Sequence, residues 1–182
     1  GDADTQDKSF NVKKGGTLVV DIENAGADIF INSWKKAEVH VQVQGISDDD
    51  LEDLEMGLNA NTVTVEYYGY GRGGWGRSRQ MRFTVSVPEE FNLDLSTSGG
   101  DIIVNDALKG DVEASTSGGD VEVNVVDGKL RLKTSGGDIS AQDVLQDATL
   151  KTSGGDIEVG NVKGQLIAAT AGGDIEIGTV DA

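Results

Sequence analysis

Apolar and polar residues alternate along most of this chain, which is the pattern of β-strands that bury one face. The alternation is strict in residues 39–43, 62–68 and 83–87. No apolar run approaches the roughly 18 residues that a membrane-spanning helix needs. The pattern therefore predicts an all-β protein.

From residue 91 onward the alternation becomes periodic. Thr-Ser-Gly-Gly-Asp occurs four times and then once as Thr-Ala-Gly-Gly-Asp, and its aspartates lie 19, 18, 18 and 18 residues apart. Each unit reads as a strand, a turn, a second strand and the Gly-Gly turn. Two strands cannot bury an apolar face alone, so successive units must stack. The repeat predicts a single-stranded parallel β-helix or β-roll with coils of about 18 residues.

The whole chain, residues 1–182, is predicted to be one β-helical domain. Residues 1–90 would form irregular amino-terminal coils, and residues 91–182 the regular repeats. Residues 25–28 match a worn copy of the turn, because the apolar residues around Asp28 keep the spacing of the later units.

Residues 47–80 are expected to be an insertion at the side of this stack. Ser47 can cap a helix, and Leu51, Leu54 and Leu58 form one apolar stripe, so a short helix of two to three turns is predicted. Residues 69–80 form a Gly-rich loop.

Composition and charge restrict the partners. The 26 glycines and one proline fit many tight turns, and the absence of cysteine excludes disulfides and thiolate metal sites. A net charge of −17 repels nucleic acid and anionic membranes. The first residue is Gly1, and a removed export signal is compatible with that start.

Several segments resemble a known family. Val85-Ser86-Val87-Pro88, with Phe91-Asn92-Leu93 and the repeated Thr-Ser-Gly-Gly-Asp-Ile after it, is similar to the bacterial β-strand-repeat family of candidate adhesins. Residues 26–31 with Trp34, and then residues 39–41, resemble the amino-terminal part of that family. The resemblance implies an exported β-helical domain, and it supplies no catalytic residues.

The repeated aspartates are the first candidate site. Stacked carboxylates about 5 Å apart repel by roughly 1 kcal/mol per pair in water, so something must offset the repulsion. In one interpretation the aspartates bind a row of Ca²⁺ ions, since hard cations favour oxygen ligands. In the favoured interpretation the glycines supply backbone freedom and each carboxylate accepts N–H groups of the turn. The aspartates concerned are Asp101, Asp120, Asp138, Asp156 and Asp174.

The second candidate is the aromatic and basic loop at residues 67–79. No acid occurs between Tyr67 and Pro88, although the chain is acidic elsewhere. Aromatic faces and guanidinium groups can stack on sugars or hold anionic groups. A glycan or a neighbouring acidic subunit would be the ligand, and a mobile loop without a ligand is the alternative. The candidate ligand-binding residues are Tyr68, Tyr70, Arg72, Trp75, Arg77 and Arg79.

Catalysis is not expected. A threonine or serine without a neighbouring base is inert, and no His or Lys recurs beside the repeated Thr. On the repeats, Glu122 and Glu158 belong to the first strand of a unit, whereas Arg131 and Lys151 belong to the second. A polysaccharide-cleaving β-helix enzyme would need both signs on one sheet.

The sequence therefore predicts a non-catalytic, exported adhesion or cell-envelope scaffold module in the periplasm, on the outer membrane or outside the cell. The alternatives are a carbohydrate-binding module that uses loop 67–79 and, less favoured, a glycan-degrading enzyme. Partners would be a cell-surface protein or glycan, and no cofactor other than Ca²⁺ is considered. The apolar residues Ile175, Ile177 and Val180 have no polar cap after them, which favours end-to-end pairing of copies.

Overall fold

The structure, a computed structural model, describes residues 5–69 and 81–182. In these ranges the chain forms eighteen strands and one short 3₁₀ helix, Asp48–Asp53. The strands are β1 Thr5–Asn11, β2 Thr17–Glu23, β3 Asp28–Trp34, β4 Glu38–Gln44, β5 Leu54–Asn59, β6 Thr62–Tyr68, β7 Arg82–Pro88, β8 Asn92–Thr97, β9 Ile102–Val104, β10 Leu108–Lys109, β11 Val112–Thr116, β12 Val121–Asp127, β13 Leu130–Lys133, β14 Ile139–Val144, β15 Ala148–Thr152, β16 Ile157–Val162, β17 Leu166–Thr170 and β18 Ile175–Val180.

The strands form two sheets with a common core. The first sheet has the order β1-β4-β7-β3-β9-β12-β14-β16-β18, with β10 beside β12, and the second has the order β17-β15-β13-β11-β8-β2-β6-β5. Each coil gives one strand to each sheet, so the molecule is an all-β, β-helix-like solenoid, as the repeat predicted. Because the strands pair in register, equivalent positions of successive repeats lie on top of one another. Val121, Ile139 and Ile157 form one such column.

The order of the coils in space differs from their order in the chain. The coil of β2 and β3 comes first in the sequence. In space, however, it lies between the coil of β6 and β7 and the coil of β8 and β9. The later coils then follow in chain order. Asp28 accepts the backbone N–H of Asp101 at 2.8 Å, so residues 25–28 are the first copy of the turn, as the spacing predicted.

Antiparallel strands close the amino-terminal end of the stack. In the first sheet β4 runs antiparallel to β7, and β1 runs antiparallel to β4. In the second sheet β5 runs antiparallel to β6. Antiparallel strands end the parallel stack here because a following coil would need a parallel edge of the same register.

A short helix follows Ser47, as predicted, but its extension through Leu54 and Leu58 and the placement of residues 47–80 at the side of the stack were wrong. Leu54 and Leu58 lie on a strand, and the helix is limited to Asp48–Asp53, none of whose residues is buried. The hairpin from β5 to β6 decides this, because Ala60 and Asn61 adopt positive φ angles of 48° and 63°, the conformation of a two-residue hairpin turn.

The same hairpin corrects the predicted insertion. β6 pairs in parallel with β2 along its whole length, and β7 pairs with β3. These two strands are therefore a full coil of the stack and do not lie at its side. The sequence does not reveal this coil, because β6 and β7 lack the repeated motif and precede its first clear copy.

Candidate functional site

The repeated turn forms a ladder of hydrogen bonds between coils, which we call the turn ladder. The N–H of each aspartate donates at 2.8 Å to Oδ1 of the aspartate one coil earlier, as Asp138 does to Asp120. The hydroxyl of each threonine donates at 2.7 Å to a backbone carbonyl of the neighbouring coil; the acceptor is Ala27 for Thr97 and a glycine for the others, as Gly119 is for Thr134. The favoured interpretation was thus right that carboxylates accept backbone N–H groups, but the donor is the next aspartate and not a glycine. The turn-ladder aspartates are Asp28, Asp101, Asp120, Asp138, Asp156 and Asp174.

The second glycine of each turn is required for close approach and not for backbone freedom. A Cβ on Gly137 would lie 2.0 Å from the carbonyl oxygen of Gly119, whereas a Cβ on Gly136 would meet nothing nearer than 3.8 Å. Neither glycine has a φ in the left-handed region, unlike Gly110 at the corner before β11. The expectation that these glycines supply unusual dihedral angles was therefore wrong.

This geometry leaves the turn ladder few groups that could bind a ligand or react with a substrate. Thr116, Thr134 and Thr152 are buried, so their hydroxyls cannot reach a substrate. In every turn-ladder carboxylate before Asp174, one oxygen already accepts a backbone N–H. Within residues 5–69 and 81–182, no group of three or more His, Asp or Glu side chains is arranged to hold a metal ion.

The outward surface of the second sheet carries a long shallow groove of about 720 Å³. It crosses successive coils from β2 to β17, and the strands of the regular repeats form most of its floor. Outward side chains line it at one or two positions per coil. The charged residues that line it are Asp94, Asp111, Glu113, Lys129, Arg131 and Asp147.

Charge is segregated along this surface. The parallel strands β6, β2, β8 and β11 present carboxylates, and β13 and β15 present cations. Register pairing places Glu113 on β11 directly beside Arg131 on β13, which is where the sign changes. We call this surface the charged face. On its parallel strands the charged members are Glu66, Asp21, Glu23, Asp94, Glu113, Arg131, Lys133 and Lys151.

The Asp94 carboxyl of the charged face has a pKa above its ordinary value. Partial burial raises the pKa of the Asp94 carboxyl, and the neighbouring carboxylates of Glu113 and Asp21 raise it further. The acidic half of the face therefore carries repulsion within the chain that a positive partner would relieve.

The outward surface of the first sheet differs from the charged face. From β12 to β18 it presents Glu122, Glu158 and Glu176, and no Lys or Arg stands on these strands. Side-chain amides on this surface hydrogen-bond to one another: Asn105 Nδ2 donates to Asn32 Oδ1 at 2.9 Å. A second cleft on this side has a volume of about 380 Å³.

Two aromatic rings near the amino-terminal end pair with cations. The ammonium of Lys36 lies 4.7 Å from the ring centre of Trp34, and the guanidinium of Arg82 lies 4.5 Å from that of Phe30. Trp34 also lies near His40, with 6.5 Å between ring centres. Sequence reasoning assigned no role to these pairs.

Of the predicted aromatic and basic site, Tyr68 is described, at the end of β6 with 46% of its surface exposed. It lines a cleft of about 230 Å³ together with acidic residues that include Glu23 and Glu66. The other five residues predicted there lie outside the described residues. They are Tyr70, Arg72, Trp75, Arg77 and Arg79.

A family model named Toastrack DUF4097 matches residues 18–179. The chain belongs to this family. No protein of curated function matches the chain. The family covers nearly the whole solenoid, so the resemblance to the β-strand-repeat family of candidate adhesins is supported at this level.

Three solved structures are similar to this chain. A candidate cell adhesion protein from Clostridium sporogenes is 12% identical, with a TM-score of 0.55 over 96% of this chain and 99% of that one. A candidate adhesin from Bacteroides fragilis is 14% identical, with a TM-score of 0.48 and coverage of 95% and 96%. A candidate lipid binding protein from Parabacteroides distasonis is 12% identical, with a TM-score of 0.42 and coverage of 99% and 94%. At these identities the first of them supports the fold alone.

The last coil exposes apolar side chains. Ile167, Ile175, Ile177 and Val180 are exposed on β17 and β18. In the part of the chain that is described, the single helix has six residues and cannot span a bilayer.

Proposed function

We propose that this chain is a non-catalytic adhesion or scaffold module of the bacterial cell envelope, exported and used for binding. The observation that supports it most is the charged face, a rigid surface on which equal positions of successive coils stand in register. Such a surface can contact a flat or extended partner at many points. A cell-surface glycan or protein is the partner class that fits this use.

The absence of catalysis is part of the proposal. The repeated residues serve coil-to-coil hydrogen bonds, and the threonine hydroxyls among them are buried. The structural neighbours named as candidate adhesins agree with a binding role, and they also favour an exported location. We expect no reducing ends and no unsaturated products when the protein is incubated with a panel of polysaccharides; turnover on any of them would contradict the proposal.

The charged face predicts which variant loses binding. The triple variant Arg131→Ala, Lys133→Ala, Lys151→Ala should lose binding on an array of neutral and anionic glycans or on immobilised cell-surface protein. The matched control removes three cations elsewhere, by Lys13→Ala, Lys14→Ala and Lys163→Ala, and should bind as the wild type does. Equal loss in both variants would indicate a general effect of charge and would refute a role for this face.

A carbohydrate-binding role for loop 67–79 is the second candidate. It is favoured by the exposure of Tyr68 and by the aromatic and Arg composition of the loop. The double variant Trp75→Ala, Arg77→Ala should abolish glycan binding if this loop is the site. If glycan binding is unchanged in that variant, the loop is not the site.

A further inference from the structure

The charged face is complementary to itself. Its acids lie on β6, β2, β8 and β11, and its cations lie on β13 and β15. Reversing the direction of the solenoid axis exchanges the acidic half and the basic half. Two copies that face each other with opposite axes would therefore place Glu113 against Arg131 on both sides of the centre.

The cations of this face are available for such a contact. Arg131, Lys133 and Lys151 are exposed, and none has a carboxylate within ion-pair distance in the described ranges. The contact between a basic and an acidic side chain in those ranges joins His40 Nε2 and Asp7 Oδ1 at 3.1 Å, on the first sheet. In a protein with a net charge of −17, three exposed cations on adjoining strands without an ion-pair partner indicate an acidic partner surface.

Other surfaces of the stack do not offer this match. The outward side of β12 to β18 presents acids without cations, so two such surfaces would repel each other. From β2 to β17 the charged face carries four carboxylates, of Asp21, Glu23, Asp94 and Glu113, and three cations, which makes this part of it nearly neutral. It is therefore the surface that a second copy can approach with little repulsion.

We propose that the charged face binds the charged face of a second copy about a two-fold axis that runs along the strands between β11 and β13. This inference rests on the proposed adhesion function and names the partner of the same surface. In this arrangement Glu113 of one copy lies opposite Arg131 of the other, twice. At the ends of the contact Val19 of one copy lies opposite Ile167 of the other, which buries an isoleucine that is 58% exposed.

The face has the size for a specific contact. Strands spaced about 4.8 Å apart extend the parallel part of the second sheet over about 30 Å, and strands of about five residues give a width of about 17 Å. The flat projection is roughly 500 Å², and a surface with side chains is larger. A standard specific interface buries about 800 Å² per partner, so this face is of the right scale.

Sedimentation velocity over a concentration series tests the proposal. The wild type, of mass 19.0 kDa, should show a monomer–dimer equilibrium in about 0.15 M salt, where screening limits the long-range repulsion of the acidic chains. Glu113→Arg and Arg131→Glu should each weaken the dimer by at least about tenfold, because each variant creates two like-charge contacts. A 1:1 mixture of the two variants should recover the dimer, since the two-fold contact then pairs opposite charges on different chains.

The controls separate this contact from other association. Glu122→Arg changes an exposed glutamate to arginine on the opposite sheet and should leave the dimer unchanged. A wild type that stays monomeric, or a mixture that does not recover the dimer, would overturn the inference. A dimer unaffected by Glu113→Arg would also overturn it and would favour pairing through β17 and β18. Glycan binding by a monomeric wild type would leave the proposed adhesion function standing without this partner.

Discussion

Replacing Gly137 by Ala tests how the coils stack. The added Cβ would lie 2.0 Å from the Gly119 carbonyl oxygen and 2.5 Å from its carbon, where an ordinary contact needs at least 3.4 Å. The coils must separate locally by about 1.4 Å, which is the difference between those distances. The obstacle is backbone, so no side-chain rotation relieves it.

That separation would break two bonds of the turn ladder. The Asp138 N–H to Asp120 Oδ1 distance is 2.8 Å and the Thr134 Oγ1 to Gly119 oxygen distance is 2.7 Å, and both would lengthen beyond a hydrogen bond. Each lost bond costs about 1 kcal/mol and overpacking costs about 1–3 kcal/mol, so the free energy of unfolding should fall by about 3–5 kcal/mol. For a domain of this size the melting temperature should fall by about 10 °C.

The matched control is the neighbouring Gly136→Ala. Its Cβ would meet nothing nearer than 3.8 Å, and its φ is outside the left-handed region. It should leave stability unchanged or raise it by up to about 1 kcal/mol, because alanine restricts the unfolded chain. Urea and thermal unfolding followed by circular dichroism measure both variants. Equal effects of the two substitutions would refute the argument that close approach requires the second glycine.

Three further predictions follow from the same geometry. Thr134→Val should lower the free energy of unfolding by about 1–3 kcal/mol, because the Gly119 carbonyl loses a buried donor, whereas Thr149→Val on the outward side of β15 should change it by less than about 0.5 kcal/mol. The raised pKa of Asp94 means that the folded protein binds the proton more tightly, so stability falls as pH rises from the ordinary Asp value of about 3.9 through the folded-state pKa. Asp94→Asn should remove that fall in urea midpoints measured between pH 3 and 7. Millimolar Ca²⁺ or a chelator should leave the melting temperature unchanged, and a clear rise with Ca²⁺ would restore the metal interpretation.

The regular half of the fold could be predicted from sequence because its signal is repeated. Every 18 residues the same apolar positions recur, and in-register parallel pairing follows directly from equal spacing. The degenerate copy of the turn at Asp28 could also be predicted, because its flanking apolar residues keep the spacing of the later repeats.

The amino-terminal half was harder because its strands pair out of chain order. Leu54 and Leu58 fit a helical spacing and a strand spacing equally well in so short a segment. The hairpin turn at Ala60 and Asn61 makes this segment a strand. The hairpin in turn depends on β5 pairing with β6 and on β6 pairing with β2.

The charged face was missed for a related reason. Arg131 and Lys151 were visible on the second strand of the repeats, but Asp21 belongs to a coil formed early in the chain. Only the observed coil order places Asp21 beside Asp94, on the same surface as the cations. Register along a stack, rather than proximity in sequence, decides which charges share a face.

The most direct test of the account asks where adhesion resides. Beads carrying the protein at fixed density should cluster when they bear the wild type. They should cluster equally with Asp174→Asn, which alters an exposed aspartate of the turn ladder. Beads bearing the Arg131→Ala, Lys133→Ala, Lys151→Ala variant should stay dispersed. Clustering that survives the triple variant but fails with Asp174→Asn would contradict the account and place function in the repeated turn.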